Sequence, residues 1–404
     1  MKRLLLSLIV AAACAKPSSP TAPAPKTAAA DPDAAERVSL LDMAHGATVV
    51  SRTGEMMLEL SALRAVDGDP GSFWMNPPHD LPQSMTVALP ARSRIEKVGI
   101  RTFDKGGFTA GHVSFEASDD GKRFTPLATI TSADSKEPQW LAIKPLDASY
   151  VRVTMVDPMV PDHDVRLSSV LAAGKEIEPP HPGEISGCWS VNGRATRFAR
   201  DGARVVGIMQ MGNEPIRFDG GFDGRIFRLN WIRGNDYGLA LLTVAPGGHE
   251  LSGMQWHEEA IPLFFADSWF GQKTDCADTA TLTGSLEPLL HRVGRFPLFA
   301  IRFRRNGSLD ATASRAMLQA LANFLRSSHG NVRFVAHEFR QPDAAANRDF
   351  AQREIDALRA ELRSSGANLD GVDFVAQGSD SPRQEPVTES MRTLYSSVDL
   401  EIRR

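Results

Sequence analysis

The sequence has few cysteines, little excess charge and no long apolar segment beyond its first residues. Three cysteines in 404 residues exclude a disulfide-rich scaffold. No internal run reaches the roughly 20 apolar residues that a membrane-spanning helix requires. Lysine and arginine together number 45 against 49 acidic residues, a net charge of −4. Since nucleic-acid binders are usually strongly basic, we expect no nucleic-acid partner.

Catalytic signatures are also missing from the sequence. It contains no Gly-rich phosphate loop, no His-Glu-x-x-His motif and no recognisable Ser-His-Asp arrangement. We therefore expect a non-enzymatic protein without a cofactor, apart from a structural calcium ion considered below. At about 100–200 residues per domain, the length predicts two to four domains.

The first residues carry an export signal. A basic start at Lys2 and Arg3 precedes an apolar run from Leu4 to Ala13, which is too short to span a bilayer and is followed by Cys14. This pattern resembles the bacterial lipoprotein signal, which implies that Cys14 is lipidated and that the protein lies in the outer membrane, facing the periplasm or the cell surface. An ordinary secreted protein is the alternative.

Residues 1–14 are thus predicted to be the signal. Residues 15–37, rich in Ala and Pro, read as an extended tether between the lipid and the folded part.

Residues 38–176 read as short strands separated by turns. The runs Ala65-Val66-Asp67-Gly68-Asp69 and Ser72-Phe73-Trp74, together with the later segments Val113 to Ile130 and Tyr150 to Asp157, resemble the discoidin-type (factor V/VIII C-type) module. The resemblance implies a β-sandwich jelly roll. Many bacterial members bind glycans through loops at one end, although no motif here identifies those loops.

The same resemblance implies a structural calcium site. Its ligand positions correspond to Ala65, Asp67, Asp69 and Ser72, and closely spaced carboxylates with backbone carbonyls suit this hard cation. The alternative is a tight turn that only closes the sandwich.

Residues 185–280 alternate strands with glycine turns and form a β-rich unit, either a barrel or a sheet. With Cys14 lipidated, Cys188 and Cys276 remain as an even pair in an oxidising compartment, close to the two ends of this unit. We predict that they form a disulfide; two buried free thiols are the alternative.

Residues 284–404 change to a mixed pattern. Leu298 to Arg304 reads as a strand, Ala311 to Arg326 as a helix, Val332 to Ala336 as a strand and Ala344 to Arg363 as a second helix. Two further strands follow, at Val372 to Ala376 and Val398 to Ile402. These segments resemble the OmpA-like domain, an α+β fold of β-α-β-α-β type that binds peptidoglycan.

The resemblance is degenerate at the positions that bind the ligand. The family holds diaminopimelate with an Asp and an Arg, and those positions correspond to Phe339 and Glu354, with Asn347 at the start of the helix. A Glu repels the carboxylate that an Arg would hold. A shift of the alignment by one residue places Glu338 and Arg353 there instead.

Two functions follow from these resemblances. The first is a non-enzymatic outer-membrane lipoprotein with a structural or glycan-binding role. The alternative is a peptidoglycan anchor with a rearranged diaminopimelate grip.

Overall fold

The computed structural model describes residues 26–27, 39–257, 267–276, 281–327, 331–380, 392–393 and 395–403. Cys14 and most of the predicted tether lie outside these ranges. Within the tether, Lys26–Thr27 forms a two-residue strand, β1, which pairs in parallel with Ile130 and Thr131. Part of the segment predicted to be a free tether is therefore attached to the first folded unit.

The first unit is a β-sandwich. Two strands of 20 residues, β4 and β7, pair along their lengths and shift register between Ala88 and Ser93. Across this irregularity the sheet folds over a core that includes Trp74 and Phe115. Besides β1, the strands of this unit are β2 (Thr48–Arg52), β3 (Trp74–Asn76), β4 (Gln83–Thr102), β5 (Ala110–Ser118), β6 (Thr125–Thr131), β7 (Gln139–Pro158) and β8 (Val165–Glu176). Their order in the sheet is β1-β6-β5-β7-β4-β8-β3, with β2 also paired to β4.

The second unit is a closed barrel of eight antiparallel strands, which decides between the two predicted forms. Its interior is packed with apolar side chains, among them Trp189, Trp231 and Trp269. Cys188 and Cys276 form the predicted disulfide, with their Cα atoms 5.2 Å apart. The strands are β9 (Gly187–Val191), β10 (Arg194–Asp201), β11 (Arg204–Met209), β12 (Ile216–Phe222), β13 (Phe227–Arg233), β14 (Asp236–Val244), β15 (Glu250–His257) and β16 (Asp267–Thr274).

The third unit combines three helices with a four-stranded sheet of order β17-β20-β18-β19. Strands β18 and β19 are parallel, and β20 lies antiparallel to both β17 and β18. Apolar side chains of the helices and of β18 and β20 share one core. The elements are α1 (Leu286–Val293), β17 (Arg295–Pro297), α2 (Ala311–Ser327), β18 (Val332–His337), α3 (Ala344–Ser364), β19 (Asp373–Gly378) and β20 (Ser397–Ile402).

The predicted strand from Leu298 to Arg304 is wrong. The strand of this region is the shorter β17, and helix α1, which the sequence analysis did not predict, precedes it. The chain after β17 lies against the barrel instead of extending the sheet. A Cβ atom added at Gly221 would lie 2.0 Å from the carbonyl oxygen of Phe299, so the glycine makes this close backbone approach possible.

The barrel contacts both neighbouring units. Toward the sandwich, Arg225 forms a bidentate ion pair with Glu176, at 2.5 and 2.7 Å, and Trp256 belongs to the sandwich core. Toward the third unit, the Asn230 side chain donates a hydrogen bond to the carbonyl of Pro297. None of the helices among the described residues is both long and apolar enough to cross a membrane.

Candidate functional site

One end of the β-sandwich is built from three loops. They are residues 103–109 between β4 and β5, residues 132–138 between β6 and β7, and residues 159–164 between β7 and β8. We call these three loops, together with Phe73 before β3 and Arg166 in β8, the loop end. Backbone hydrogen bonds join the loops: the Met159 amide donates to Thr109, and the Arg166 amide donates to Phe108.

Aromatic rings and charged groups alternate across the loop end. Phe108 and His163 are stacked, with ring centroids 4.5 Å apart, and the Arg166 guanidinium lies 4.8 Å from the centre of the Phe108 ring. Phe73 and Phe103 form a second aromatic pair at 4.3 Å. The loop end therefore presents flat apolar faces beside a cation.

Asp104 links the charged groups of the loop end. Its carboxylate accepts a hydrogen bond from Arg166 at 3.0 Å and lies 3.5 Å from the Lys136 ammonium. The three side chains keep between 25% and 56% of their exposure. A ligand arriving from solvent can therefore reach both hydrogen-bond donors and acceptors there.

The loops are held by their own backbone. The Asp134 carboxylate accepts hydrogen bonds from the Gly106 and Gly107 amides. Both glycines have positive φ angles, and a Cβ atom at Gly107 would lie 2.3 Å from a methyl group of Val160. This tight packing fixes Phe108 in position.

Four buried side-chain atoms of the loop end have no hydrogen-bond partner among the described residues. They are Nδ1 of His163, Nε of Arg166, Oγ1 of Thr109 and Oγ of Ser132. The His163 and Arg166 side chains also stack on Phe108. Because atoms of this kind occur throughout the described structure, they do not by themselves distinguish the loop end.

The predicted calcium turn brings three of its four residues into direct contact. Asp67 accepts hydrogen bonds from the Asp69 amide at 2.9 Å and from the Ser72 hydroxyl at 2.7 Å. Ala65 is buried at the preceding helical turn. The Arg64 guanidinium lies 3.6 Å from the Asp67 carboxylate, and both side chains are almost fully buried.

These contacts leave calcium a poor set of ligands. Protein groups already occupy both oxygens of Asp67, and Arg64 supplies a positive charge beside them. Burial nevertheless raises the pKa of Asp67 to about 7. Within the turn, the positive charge of Arg64 thus compensates the negative charge of Asp67. The calcium site stays a prediction.

The predicted peptidoglycan-binding residues are placed around α3. Phe339 is buried, and the Asn347 side chain accepts a hydrogen bond from the Gln341 amide at 3.0 Å. Glu354 is only 3% exposed and points toward the barrel. Burial raises its pKa to about 8, with a further contribution from nearby Glu338.

The alternative pair does not meet. Glu338 forms a bidentate ion pair with Arg340, whereas Arg353 donates to the carbonyl of Asn306. Glu338 and Arg353 therefore have different partners and do not form one grip. The positive charge of Arg228, which lies on the barrel, opposes this rise in the pKa of Glu354.

The comparisons with known proteins concern the sandwich. Residues 47–165 match the F5/8 type C domain, so the predicted fold of this unit is confirmed. No curated protein matches the chain.

Several solved bacterial domains, among them carbohydrate-binding modules, are similar to the sandwich. A Clostridium perfringens module in complex with GalNAc-β-1,3-galactose is 22% identical; the match covers 33% of this chain and 98% of that chain, with a TM-score of 0.28. Chitosan-binding module 1 from a chitosanase/glucanase of Paenibacillus sp. IK-5 is 20% identical, with coverages of 33% and 98% and a TM-score of 0.29. The C-terminal domain of a Bacteroides fragilis chitobiase is 19% identical, with coverages of 33% and 96% and a TM-score of 0.30.

Most residues of the loop end were missed by the sequence analysis. Phe103, Phe108, His163 and Arg166 form no local motif, and Phe73 was noted only as part of the family resemblance. The available signal was the pair Gly106-Gly107, which interrupts the strand pattern directly before an aromatic residue.

Proposed function

We propose that this chain is a non-enzymatic carbohydrate-binding protein of the cell envelope, and that the loop end binds the glycan. The observation that carries this proposal is the cluster of Phe108, His163 and Arg166 at the loop end of a unit that matches the F5/8 type C domain. Sugar rings combine apolar faces with hydroxyl groups, so a site for them needs aromatic faces next to charged hydrogen-bonding groups.

Each group has a role in this proposal. The rings of Phe103 and Phe108 offer faces for the C–H side of a sugar. Arg166 and Lys136 donate to hydroxyl oxygens, and Asp104 accepts from hydroxyl groups. Because Asp134 fixes the loop before a ligand arrives, less conformational entropy is lost on binding.

The envelope location rests on the N-terminal pattern. A lipid on Cys14 would anchor the protein to the outer membrane, since each buried methylene contributes about 0.8 kcal/mol. The sandwich would then present its glycan site close to a surface on which glycans are dense.

A glycan array tests the proposal directly. The full chain should bind a defined group of glycans, and Arg166→Gln and Phe108→Leu should each weaken binding at least tenfold. Arg123→Gln is the matched control, because Arg123 is 94% exposed in the turn at the opposite end of the sandwich. Circular dichroism shows that each variant remains folded.

The same proteins are then incubated with purified sacculi. Glycan binding that Arg166→Gln removes supports the proposal. Sedimentation with sacculi that survives both loop-end substitutions, with no glycan bound on the array, would instead favour the peptidoglycan anchor.

A further inference from the structure

A cavity of about 160 Å³ lies between the barrel and the third unit, far in sequence from the loop end. It is open to solvent on the side of Arg340, whose side chain keeps 39% of its exposure. Its walls carry both charged and apolar side chains. The charged ones come from the barrel, from the segment after β17, from the loop between β18 and α3, and from α3 itself. The charged residues are Asp223, Arg228, Arg302, Arg340 and Glu354, and the apolar ones are Leu298, Phe299, Ile301, Phe303 and Val398.

Two of the three guanidinium groups in the cavity lack an acidic partner. Arg228 donates to the carbonyls of Thr393 and Ser396, at 3.0 and 2.9 Å, and Arg302 donates to the carbonyl of Phe222 at 3.1 Å. Among the described residues, neither forms an ion pair within 4 Å, although the Asp223 carboxylate attracts both, and Nε of Arg228 has no hydrogen-bond partner. Burial lowers the pKa of Arg228 to about 10, which reflects the unfavourable environment of this charge.

The acidic groups of the cavity leave this positive charge in place. Glu338 is already paired with Arg340. Asp223 accepts hydrogen bonds from the backbone amides of Arg225 and Ile226 at its own turn. Glu354 makes no hydrogen bond within the described structure, and its raised pKa keeps it protonated at neutral pH. Among the described lining residues, Asp223 is then the one charged acid that faces the two guanidinium groups of Arg228 and Arg302, so the cavity keeps an excess positive charge and is suited to an anion.

We propose that this cavity binds a small organic carboxylate with a short apolar part, held by Arg228 and Arg302, with Arg340 at its opening. A cavity of roughly 150 Å³ accommodates a molecule the size of benzene, which sets the size of the ligand. The guanidinium forks match a carboxylate in geometry and charge. Leu298, Phe299 and Val398 can cover the apolar part, which an inorganic oxyanion lacks.

The effect of Glu354 on the bound carboxylate depends on whether Glu354 is protonated. When protonated, it can donate its hydroxyl to the bound carboxylate; when ionised, it repels it. Affinity should therefore fall as the pH rises through about 8. The site is independent of the glycan proposal, since it shares no residue with the loop end.

Fluorine NMR of the full chain with trifluoroacetate as the probe tests the proposal. We expect saturable binding that propionate displaces, with at least tenfold weaker binding in Arg228→Gln and in Arg302→Gln. Arg304→Gln is the matched control, because Arg304 lies two residues from Arg302 and its side chain is 66% exposed. Ionic strength is held constant with chloride.

A second variant keeps the test decisive if an arginine substitution unfolds the protein. Glu354→Gln preserves the size of the side chain and removes its charge, so its affinity for trifluoroacetate should exceed that of the wild type above pH 8 and change little with pH. Equal binding in the wild type and in folded arginine variants would overturn the proposal. So would a lack of saturable binding in both the wild type and Glu354→Gln.

Discussion

At the scale of single residues, the buried acid Glu354 dominates the expected pH response. Its pKa of about 8 in the folded protein lies well above the value of 4.5 for an exposed Glu. Between these two values, the folded state holds a proton that the unfolded state has released. The free energy of unfolding therefore falls as the pH rises across this range.

Glu354→Gln should remove this loss of stability. At pH 5 the variant and the wild type should unfold at similar urea concentrations, whereas at pH 8.5 the variant should be more stable by roughly 2–5 kcal/mol, because one pKa unit corresponds to about 1.4 kcal/mol. Asp67, whose pKa is also raised, contributes equally to both proteins. A parallel decline of the two proteins with pH would show that Glu354 ionises normally.

Asp67 and Arg64 form the second buried charge pair of interest. Asp67→Asn leaves the Arg64 guanidinium without its acidic neighbour in the core, so we expect a loss of roughly 2–4 kcal/mol at pH 8. Urea unfolding measures it, and Glu96→Gln, which changes an exposed carboxylate on β4 of the same sandwich, is the control. Because Arg64 already supplies positive charge, calcium and EGTA should give the same melting temperature. A marked rise with calcium would support the predicted site at Asp67 and Asp69 instead.

At the scale of elements, the disulfide closes the barrel where its ends meet. Cys188 lies opposite Thr274 in the pairing of β9 with β16, and the bridge spans 88 residues. Closing a loop of this length restricts the unfolded chain and stabilises the fold by roughly 4–5 kcal/mol at most.

Replacing both cysteines by serine should therefore lower the melting temperature markedly without changing the circular dichroism spectrum of the folded protein. Thiol titration of the denatured, non-reduced wild type should find neither Cys188 nor Cys276 free. Reagent uptake by both residues would contradict the bridge. The double variant treated with a reductant is the control, since reduction should affect only the wild type.

Elements with a clear local pattern were predictable from the sequence. The helix predicted from Ala311 to Arg326 is α2, and the one predicted from Ala344 to Arg363 is α3; each ends within one residue of its predicted boundary. Their apolar residues recur at helical spacing, and Asp343 caps α3 by accepting from the Ala346 amide.

Elements that depend on distant contacts were not predictable. Leu298 belongs to the apolar core of the third unit and Phe299 to the core that the sandwich shares with the barrel, so their burial imitates the pattern of a strand. The strands predicted from Val87 to Leu89 and from Lys97 to Thr102 belong to one long strand, β4, interrupted by a register shift. The loop end could not be predicted for the same reason, because only the fold brings its separate segments together.

At the scale of the whole molecule, the lipid anchor is the most direct prediction. Cys14→Ser should move the protein from the membrane fraction to the soluble periplasmic fraction and abolish labelling with radioactive palmitate. The Cys188→Ser and Cys276→Ser double variant should keep the label. An unlabelled wild type would identify an ordinary secreted protein.

The short strand β1 limits how far the loop end of such an anchored molecule could lie from the membrane. It pairs with Ile130 and Thr131, the last residues of β6, directly before the loop of residues 132–138. Eleven residues lie between Cys14 and Lys26, and a fully extended chain across this interval reaches roughly 40 Å. With Cys14 in the bilayer, the loop end would therefore stay within about one protein diameter of the lipid, in reach of molecules held at that surface.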